Sequence, residues 1–271
     1  MIVLVTGASS GIGYQSAILL AQKGHKVYGA ARRVERMEPL REYGITPMSL
    51  DVTSDESMQA CVSAILAAEG RIDALVNNAG YGYFGAIENV SMEEARRQLD
   101  VNVFGLARLT QLVLPSMREH GFGRIVNVGS VAGRVVLPFG GWYHVSKYSV
   151  EALSDALRME LKPFGIDVVL IEPGGINTEW GHIAADHLEA SSKDTPYAAP
   201  AQKEARLMHY TYSGNFLLSN PSVVSRAIGK AVNARHPRHR YHPGAGSLFL
   251  LWLHSLLPAR WWDALLRRVL A

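Results

Sequence analysis

Apolar runs of strand length alternate with longer helical patterns along the first 171 residues, and this rhythm restricts the fold more than any single motif does. Strand-like runs occupy residues 2–6, 26–30, 47–50, 73–76, 124–127 (extending to 129) and 167–171. Helical patterns fill residues 12–23, 54–69, 143–162 and, as two stretches, 91–117. Ser54 is placed to cap the second of these, and Ser91 and Glu94 have capping-box spacing. Apolar strands between amphipathic helices predict an α/β fold with a parallel sheet covered on both faces. Right-handed crossovers make it a doubly wound, Rossmann-type domain, with ligands beyond the carboxyl ends of the strands. The polar clusters fall there: residues 6–13, 31–33, 51–52, 77–80, 130 and 173–178 each follow a strand.

Thr6-Gly7-Ala8-Ser9-Ser10-Gly11-Ile12-Gly13 leaves the first strand and opens a helix. Glycines let a backbone approach a pyrophosphate closely, and the helix N-terminus offers N–H donors and a positive dipole end. In this place the loop reads as nucleotide-binding rather than as a structural turn. After the second strand, where Asp or Glu would bind the ribose hydroxyl of NAD, stand Arg32 and Arg33. Guanidinium groups suit a 2′-phosphate, so the expected cofactor is NADP(H) rather than NAD(H). Asp51 and Val52 are candidates for holding the adenine; the alternative is that Asp51 caps the following segment. Tyr143 and Lys147 would lie one turn apart on one helix face. An ammonium near a phenol favours the phenolate, so the tyrosine pKa is expected to fall toward the working range.

The sequence resembles the classical short-chain dehydrogenases/reductases, within them the 17β-hydroxysteroid and retinol dehydrogenase subgroup. The resemblance rests on residues 6–13, Asn77-Asn78-Ala79-Gly80, Asn102, Ser130, Tyr143-x-x-x-Lys147 and Pro173-Gly174, in the family's order and spacing. It covers residues 1–178 strongly and the remainder loosely. It implies a single-domain Rossmann fold and a nicotinamide cofactor. Tyr143 would be the acid/base, Ser130 would bond the substrate oxygen, and Lys147 would bind the nicotinamide ribose and lower the tyrosine pKa. Asn102 would position a water in a proton relay to Lys147. Gly7, Ser9, Ser10, Gly11, Ile12 and Gly13 would hold the pyrophosphate. Asn78, Ala79 and Gly80 would pass beside the adenosine, and Pro173, Gly174, Ile176 and Thr178 would contact the nicotinamide side. A homodimer or homotetramer is implied, through the helices beginning near Asn102 and Tyr143.

The 271 residues, 48% hydrophobic and 19% charged, suit one domain over 1–271 with a sizeable core. A net charge of +3 with no long basic block argues against nucleic acid as a partner. One cysteine, Cys61, precludes an internal disulfide and suits a reducing, cytoplasmic compartment. Cys61 itself is expected to be a small buried hydrophobe. The amino-terminal run reads as a strand rather than a signal peptide, and no run has transmembrane length. The histidines at 236, 239 and 242, interrupted by Pro237, read as a solvated basic loop rather than a metal site. Residues 176–220 change character and are expected to form a substrate lid or helical pair. Residues 81–85 and 135–139 are apolar and aromatic, which predicts a hydrophobic steroid-, retinoid- or lipid-like substrate. Residues 247–271 form an apolar extension that packs on the domain, covers the site, self-associates or touches a membrane surface. Two functions stay open: an NADP(H)-dependent oxidoreductase acting on alcohols, ketones or aldehydes, and a catalytically silent NADP(H)-binding regulator or scaffold.

Overall fold

Val3 and Val5 of the first strand, β1 (Ile2–Thr6), face one core, and Leu4 faces the other. This two-residue alternation, with both faces apolar, requires cover on both sides of the sheet. A computed structural model describes residues 1–214 and 218–270 and supplies that cover. After β1 come α1 (Gly11–Gln22), β2 (Lys26–Ala31), a 3₁₀ segment (Val34–Tyr43), β3 (Thr46–Ser49), α2 (Asp55–Glu69) and β4 (Ala74–Asn77). The chain continues with α3 (Met92–Leu99), a π-helical turn (Asp100–Gly105), α4 (Leu106–Glu119), β5 (Gly123–Val128), α5 (Gly141–Leu161) and β6 (Ile166–Ile171). Last are α6 (Trp180–Ser192), α7 (Ala198–Tyr212), α8 (Ser222–Asn233), β7 (Arg240–Tyr241), α9 (Ser247–Leu256) and α10 (Ala259–Leu270).

The strands form one parallel sheet in the order β3-β2-β1-β4-β5-β6-β7. On one face α1 and α8 pack through Ala17, Leu20, Val224 and Ile228. On the other, α2 and α4 pack through Val62, Ile65, Leu109 and Val113. Cys61 lies in this second core, and burial pushes its thiol up to about 11, so it behaves as the small hydrophobe expected. Ser54 caps α2 by accepting the Ser57 N–H at 3.2 Å, and Ser91 caps α3 by accepting the Glu94 N–H at 3.2 Å. Strand order reverses between β1 and β4, the switch point at which this architecture binds ligands.

Three features depart from the sequence reading. The stretch expected as a solvated basic loop contains β7, whose Arg240 pairs in register with Leu170 of β6. The two helical stretches of residues 91–117 are separated by a π turn, and Asn102 sits in it. Residues 34–43 form a 3₁₀ segment whose Met37 and Leu40 are buried in the α1-side core. The excursion over 176–220 is a helical pair, α6 and α7, closed at its base by the Ile176–Ser219 bridge. Positions 215–217 of that stretch and residue 271 of the tail lie outside the described residues.

Candidate active site

The loops leaving β1 and β4 are locked together by two side chains. Thr6 Oγ1 accepts the N–H groups of Asn78 and Ala79, each at 3.0 Å, and Asn78 Nδ2 donates to the Thr6 carbonyl at 3.0 Å. Gly7 turns with φ +67°, and a Cβ there would stand 2.8 Å from Asn78 Nδ2. A methyl on Gly13 would overlap the Gly7 carbonyl, so helix and loop approach at glycine distance. Ser10 precedes α1 without capping it through its side chain, and the first turn carries no acid. The N–H groups at this helix end are therefore available to an anion, with Ser9, Gly11 and Ile12 around them. A Cβ on Gly11 would lie 3.5 Å from Thr178, which brings the segment after β6 to the same loop.

Arg32 and Arg33 are exposed directly after β2. Asp51 Oδ1 accepts the Thr53 N–H and hydroxyl at 2.9 and 2.7 Å, so its local capping role is observed. Burial raises the Asp51 pKa, but these two bonds and the charges of Arg32 and Arg97 outweigh it and leave the carboxyl below its usual range. A glycine loop at a helix N-terminus with two exposed guanidinium groups one strand away fits a dinucleotide that carries a 2′-phosphate. The Ile176 side chain is buried among the α1-side core residues, so any contact from it toward a cofactor comes from its main chain. Pro173 and Gly174 are held by main-chain bonds, Val131 N–H to the Pro173 carbonyl and Gly174 N–H to the Pro243 carbonyl, both at 3.0 Å.

Tyr143 and Lys147 lie in the first two turns of α5. Ser130 ends the stretch after β5, caps a short 3₁₀ turn by accepting the Ala132 N–H at 3.1 Å, and its hydroxyl faces Tyr143. The Lys147 ammonium donates to the Val128 carbonyl at 2.9 Å and lies 5.8 Å from the centre of the tyrosine ring. Asn102 is fully engaged: its Nδ2 donates to the Tyr81 carbonyl and to Ser146 Oγ at 2.9 and 3.0 Å, while its Oδ1 accepts the Tyr81 N–H at 3.0 Å. Ser146 in turn donates to the Tyr143 carbonyl at 2.7 Å, coupling the π turn to α5.

The expected fall of the tyrosine pKa is not found. Burial pushes Tyr143 well above its ordinary value, against the opposing effect of the Ser130 hydroxyl. The physical reason is the wall around it: the Trp180 and Phe84 rings stand 5.0 and 5.7 Å from the Tyr143 ring. Lys147 is lowered to about 8 by burial, partly opposed by the Glu151 charge one turn below. Desolvation therefore disfavours both ions, and the resting pair is poised with the phenol neutral.

The wall comes from three segments far apart in sequence. Phe84 belongs to the stretch after β4, Phe139 to the loop before α5, and Trp180 opens α6. Tyr212 ends α7 against Gly181, where a methyl would overlap its ring. Phe139 takes φ +62°, rare for a bulky residue, and its carbonyl accepts the Gly85 N–H at 2.8 Å. Val135 of the same loop is instead buried against Leu251 and Trp262 of the tail, so only part of residues 135–139 borders the site.

A family model for the short chain dehydrogenases matches residues 1–188. The chain belongs to the short-chain dehydrogenase family. It is 37% identical to the short-chain type dehydrogenase/reductase VdlC of Helicobacter pylori, over 98% of this chain and 96% of the relative. It is 41% identical to a 3-ketodihydrosphingosine reductase of Bacteroides thetaiotaomicron over 90% and 87%, and 35% identical to rat estradiol 17-beta-dehydrogenase 1 over 89% and 72%. Among solved structures, a short-chain dehydrogenase from Streptomyces avermitilis superposes with a TM-score of 0.81 at 32% identity, covering 94% of this chain and 91% of that one. A serine dehydrogenase complexed with NADP+ gives 0.78 at 29% identity over 90% and 94%. The relationship to the 17β-hydroxysteroid dehydrogenases noted from the motifs is thus supported along most of the chain.

Several residues that shape this dehydrogenase site escape a motif reading. His144 lies beside Tyr143 but serves architecture: its Nδ1 bonds the Ala132 carbonyl at 2.9 Å and its Nε2 accepts the Leu137 N–H at 3.0 Å. Behind Lys147 lies a buried acid pair. Glu172, at the end of β6, lies beside Glu151 of α5, and Arg240 reaches them at 3.6 and 3.2 Å. His242 Nδ1 stands 3.2 Å from Glu172. Burial, and then the Glu151 charge, push Glu172 up to about 7 despite Arg240 and Arg134. The folded state binds this proton more tightly than the unfolded chain, where the ordinary value of 4.5 applies. Its stabilising contribution is complete below about pH 4.5 and is lost as pH rises through about 7. Glu172→Gln should therefore raise stability at pH 8 by on the order of 1–3 kcal/mol and flatten the decline between about pH 5 and pH 8. Thermal unfolding across that range reads both effects; an unaltered slope would place the proton elsewhere.

Proposed function

We propose that this chain is an NADP(H)-dependent oxidoreductase that interconverts a hydrophobic secondary alcohol with its ketone, or a primary alcohol with its aldehyde, using Tyr143 as acid/base. The observation that carries this reading is Tyr143, facing Ser130 beneath an apolar wall of Phe84 and Trp180. The bound nicotinamide supplies the hydride chemistry. The residues of the chain do the rest. In carbonyl reduction, negative charge grows on the substrate oxygen, and the Ser130 and Tyr143 hydroxyls donate to it. Tyr143 then releases its proton to that oxygen, and in oxidation the phenolate takes the alcohol proton back. Lys147, lowered to about 8, carries enough charge near neutrality to stabilise the phenolate as it forms. The Asn102 side chain is committed to Tyr81 and Ser146, so its part in proton relay falls to the main chain of the π turn.

Arg32 and Arg33 would take the 2′-phosphate, a choice supported by the NADP+ complex of the similar serine dehydrogenase. The helical pair of residues 176–220 would act as the substrate lid, because Trp180 and Tyr212 project from it toward Tyr143. A sphingoid-base ketone and a steroid, named for two relatives, are both apolar, as this wall requires. Phe104, Val145, Tyr148 and Met159 are exposed apolar residues on or before α4 and α5, and support an oligomer formed through those helices. A buried Cys61 thiol and no disulfide suit a cytoplasmic enzyme.

The test is a panel of ketones and alcohols assayed with NADPH and NADH by absorbance of the reduced nicotinamide. Long-chain or polycyclic ketones should exceed small polar ones in kcat/KM by about tenfold or more, and Trp180→Ala should remove most of that preference. Equal turnover of polar and apolar substrates would overturn the substrate class.

A further inference from the structure

The tail presents an apolar face that the domain leaves uncovered. Helices α9 and α10 are anchored from inside by Leu251 and Trp262, which are buried with Val135. Their outer residues are different: Leu248, Phe249, Trp252, Leu256 and Trp261 are between 57% and 65% exposed. Positions 248, 252 and 256 recur every four residues, so they form one stripe along α9, with Phe249 beside it. The Phe249 and Trp252 rings lie 6.1 Å apart. Isolated exposed leucines are normal on a protein surface, but a contiguous stripe of large apolar and aromatic side chains marks a contact surface.

Charge selects the occupant. Residues 247–271 contain Arg260, Arg267 and Arg268 against a single acid, Asp263. The three arginines are exposed, and among the described residues none of them is placed in an ion pair. A two-fold contact between copies of this chain would set the same patch against itself, arginines against arginines, with one acid per side to compensate. An anionic bilayer surface instead offers phosphates for the guanidinium groups, headgroup depth for the tryptophan rings and hydrocarbon for the leucines. No described helix is long and apolar enough to cross a membrane, so the element would lie along the surface rather than span it.

We propose that α9 and α10 form an interfacial docking element that binds the surface of an anionic membrane. The tail also touches both segments that flank the site. Val135 lies in the loop between Ser130 and Tyr143, and Ser247 stands 3.2 Å from where a Cβ on Gly174 would be. Docking therefore sets the catalytic domain directly on the bilayer. This inference is independent of the reaction, and its test involves no turnover.

The full chain is mixed with vesicles of pure phosphatidylcholine, or of phosphatidylcholine with one-third phosphatidylglycerol, and the bound fraction is read by co-sedimentation. Binding to the anionic vesicles should exceed binding to the neutral ones by about tenfold, and should fall steeply as salt rises. Trp252→Glu with Leu248→Glu, and separately Arg260→Glu with Arg267→Glu and Arg268→Glu, should each reduce anionic binding by about tenfold or more. All substituted side chains are exposed, so far-UV circular dichroism should show the fold retained. No wild-type binding to anionic vesicles at low salt would overturn the proposal, as would binding that both sets of substitutions leave unchanged. Equal binding to neutral and anionic vesicles would overturn it as well. So would a wild-type oligomer that ignores vesicles but dissociates on Trp252→Glu with Leu248→Glu, since a second copy would then be the cover.

Discussion

Tyr143→Phe should lower kcat by about 10²–10⁴-fold, the range that a positioned general acid contributes. The substitution keeps the ring that packs against Trp180 and Phe84 and removes only the hydroxyl that faces Ser130. Fold and affinity for NADPH should therefore stay within about threefold of the parent, since an exposed-to-buried balance of apolar area is unchanged. Steady-state kinetics with an apolar ketone and fluorescence titration of NADPH separate the two quantities. Undiminished turnover would remove Tyr143 from the mechanism. A chain that bound NADPH but turned over no member of a broad substrate panel, before or after the change, would favour the silent-regulator function.

The second large effect is expected at the end of β2. Arg32→Ala with Arg33→Ala should weaken NADPH binding by about 10²-fold or more, because each charge-assisted bond to phosphate contributes roughly 1.5–3 kcal/mol. NADH affinity should change by less than about threefold, since it presents a ribose hydroxyl where NADPH presents the phosphate. The side chains are exposed after the strand, so the loss is electrostatic rather than structural, and should shrink at high salt. Isothermal titration with both cofactors measures it. Equal losses for the two cofactors would refute recognition of the 2′-phosphate.

Much of this architecture is legible in the amino-acid sequence. The alternation of residues 2–171 predicted the parallel sheet, and six of its seven strands. The glycine loop was legible because its signal is local: a turn at Gly7 and a close approach at Gly13 are properties of a few consecutive residues. Arg240 was misplaced for the opposite reason. A two-residue strand, Arg240–Tyr241, has no periodicity to detect, and its arginine is drawn inward by Glu151, Asp155 and Glu172, which come from two other elements. The role of His144 is not legible in the sequence, because its partners are the main-chain groups of Ala132 and Leu137, which no side-chain pattern encodes.

The tyrosine–lysine pair divides the two kinds of information most clearly. Their spacing on α5 followed from sequence alone, because the helical period fixes which residues are neighbours. The electrostatic state of the pair did not follow. A nearby cation by itself lowers a phenol pKa, and that expectation was sound for a solvated helix. Folding brings Phe84 and Trp180 over the phenol, and Glu151, with Glu172 behind it, close to the ammonium. Desolvation then outweighs the local charge. Sequence determined the order of chemical groups along each element. Only the tertiary structure decided their protonation and their covering, because burial sums contributions from segments that are distant along the chain.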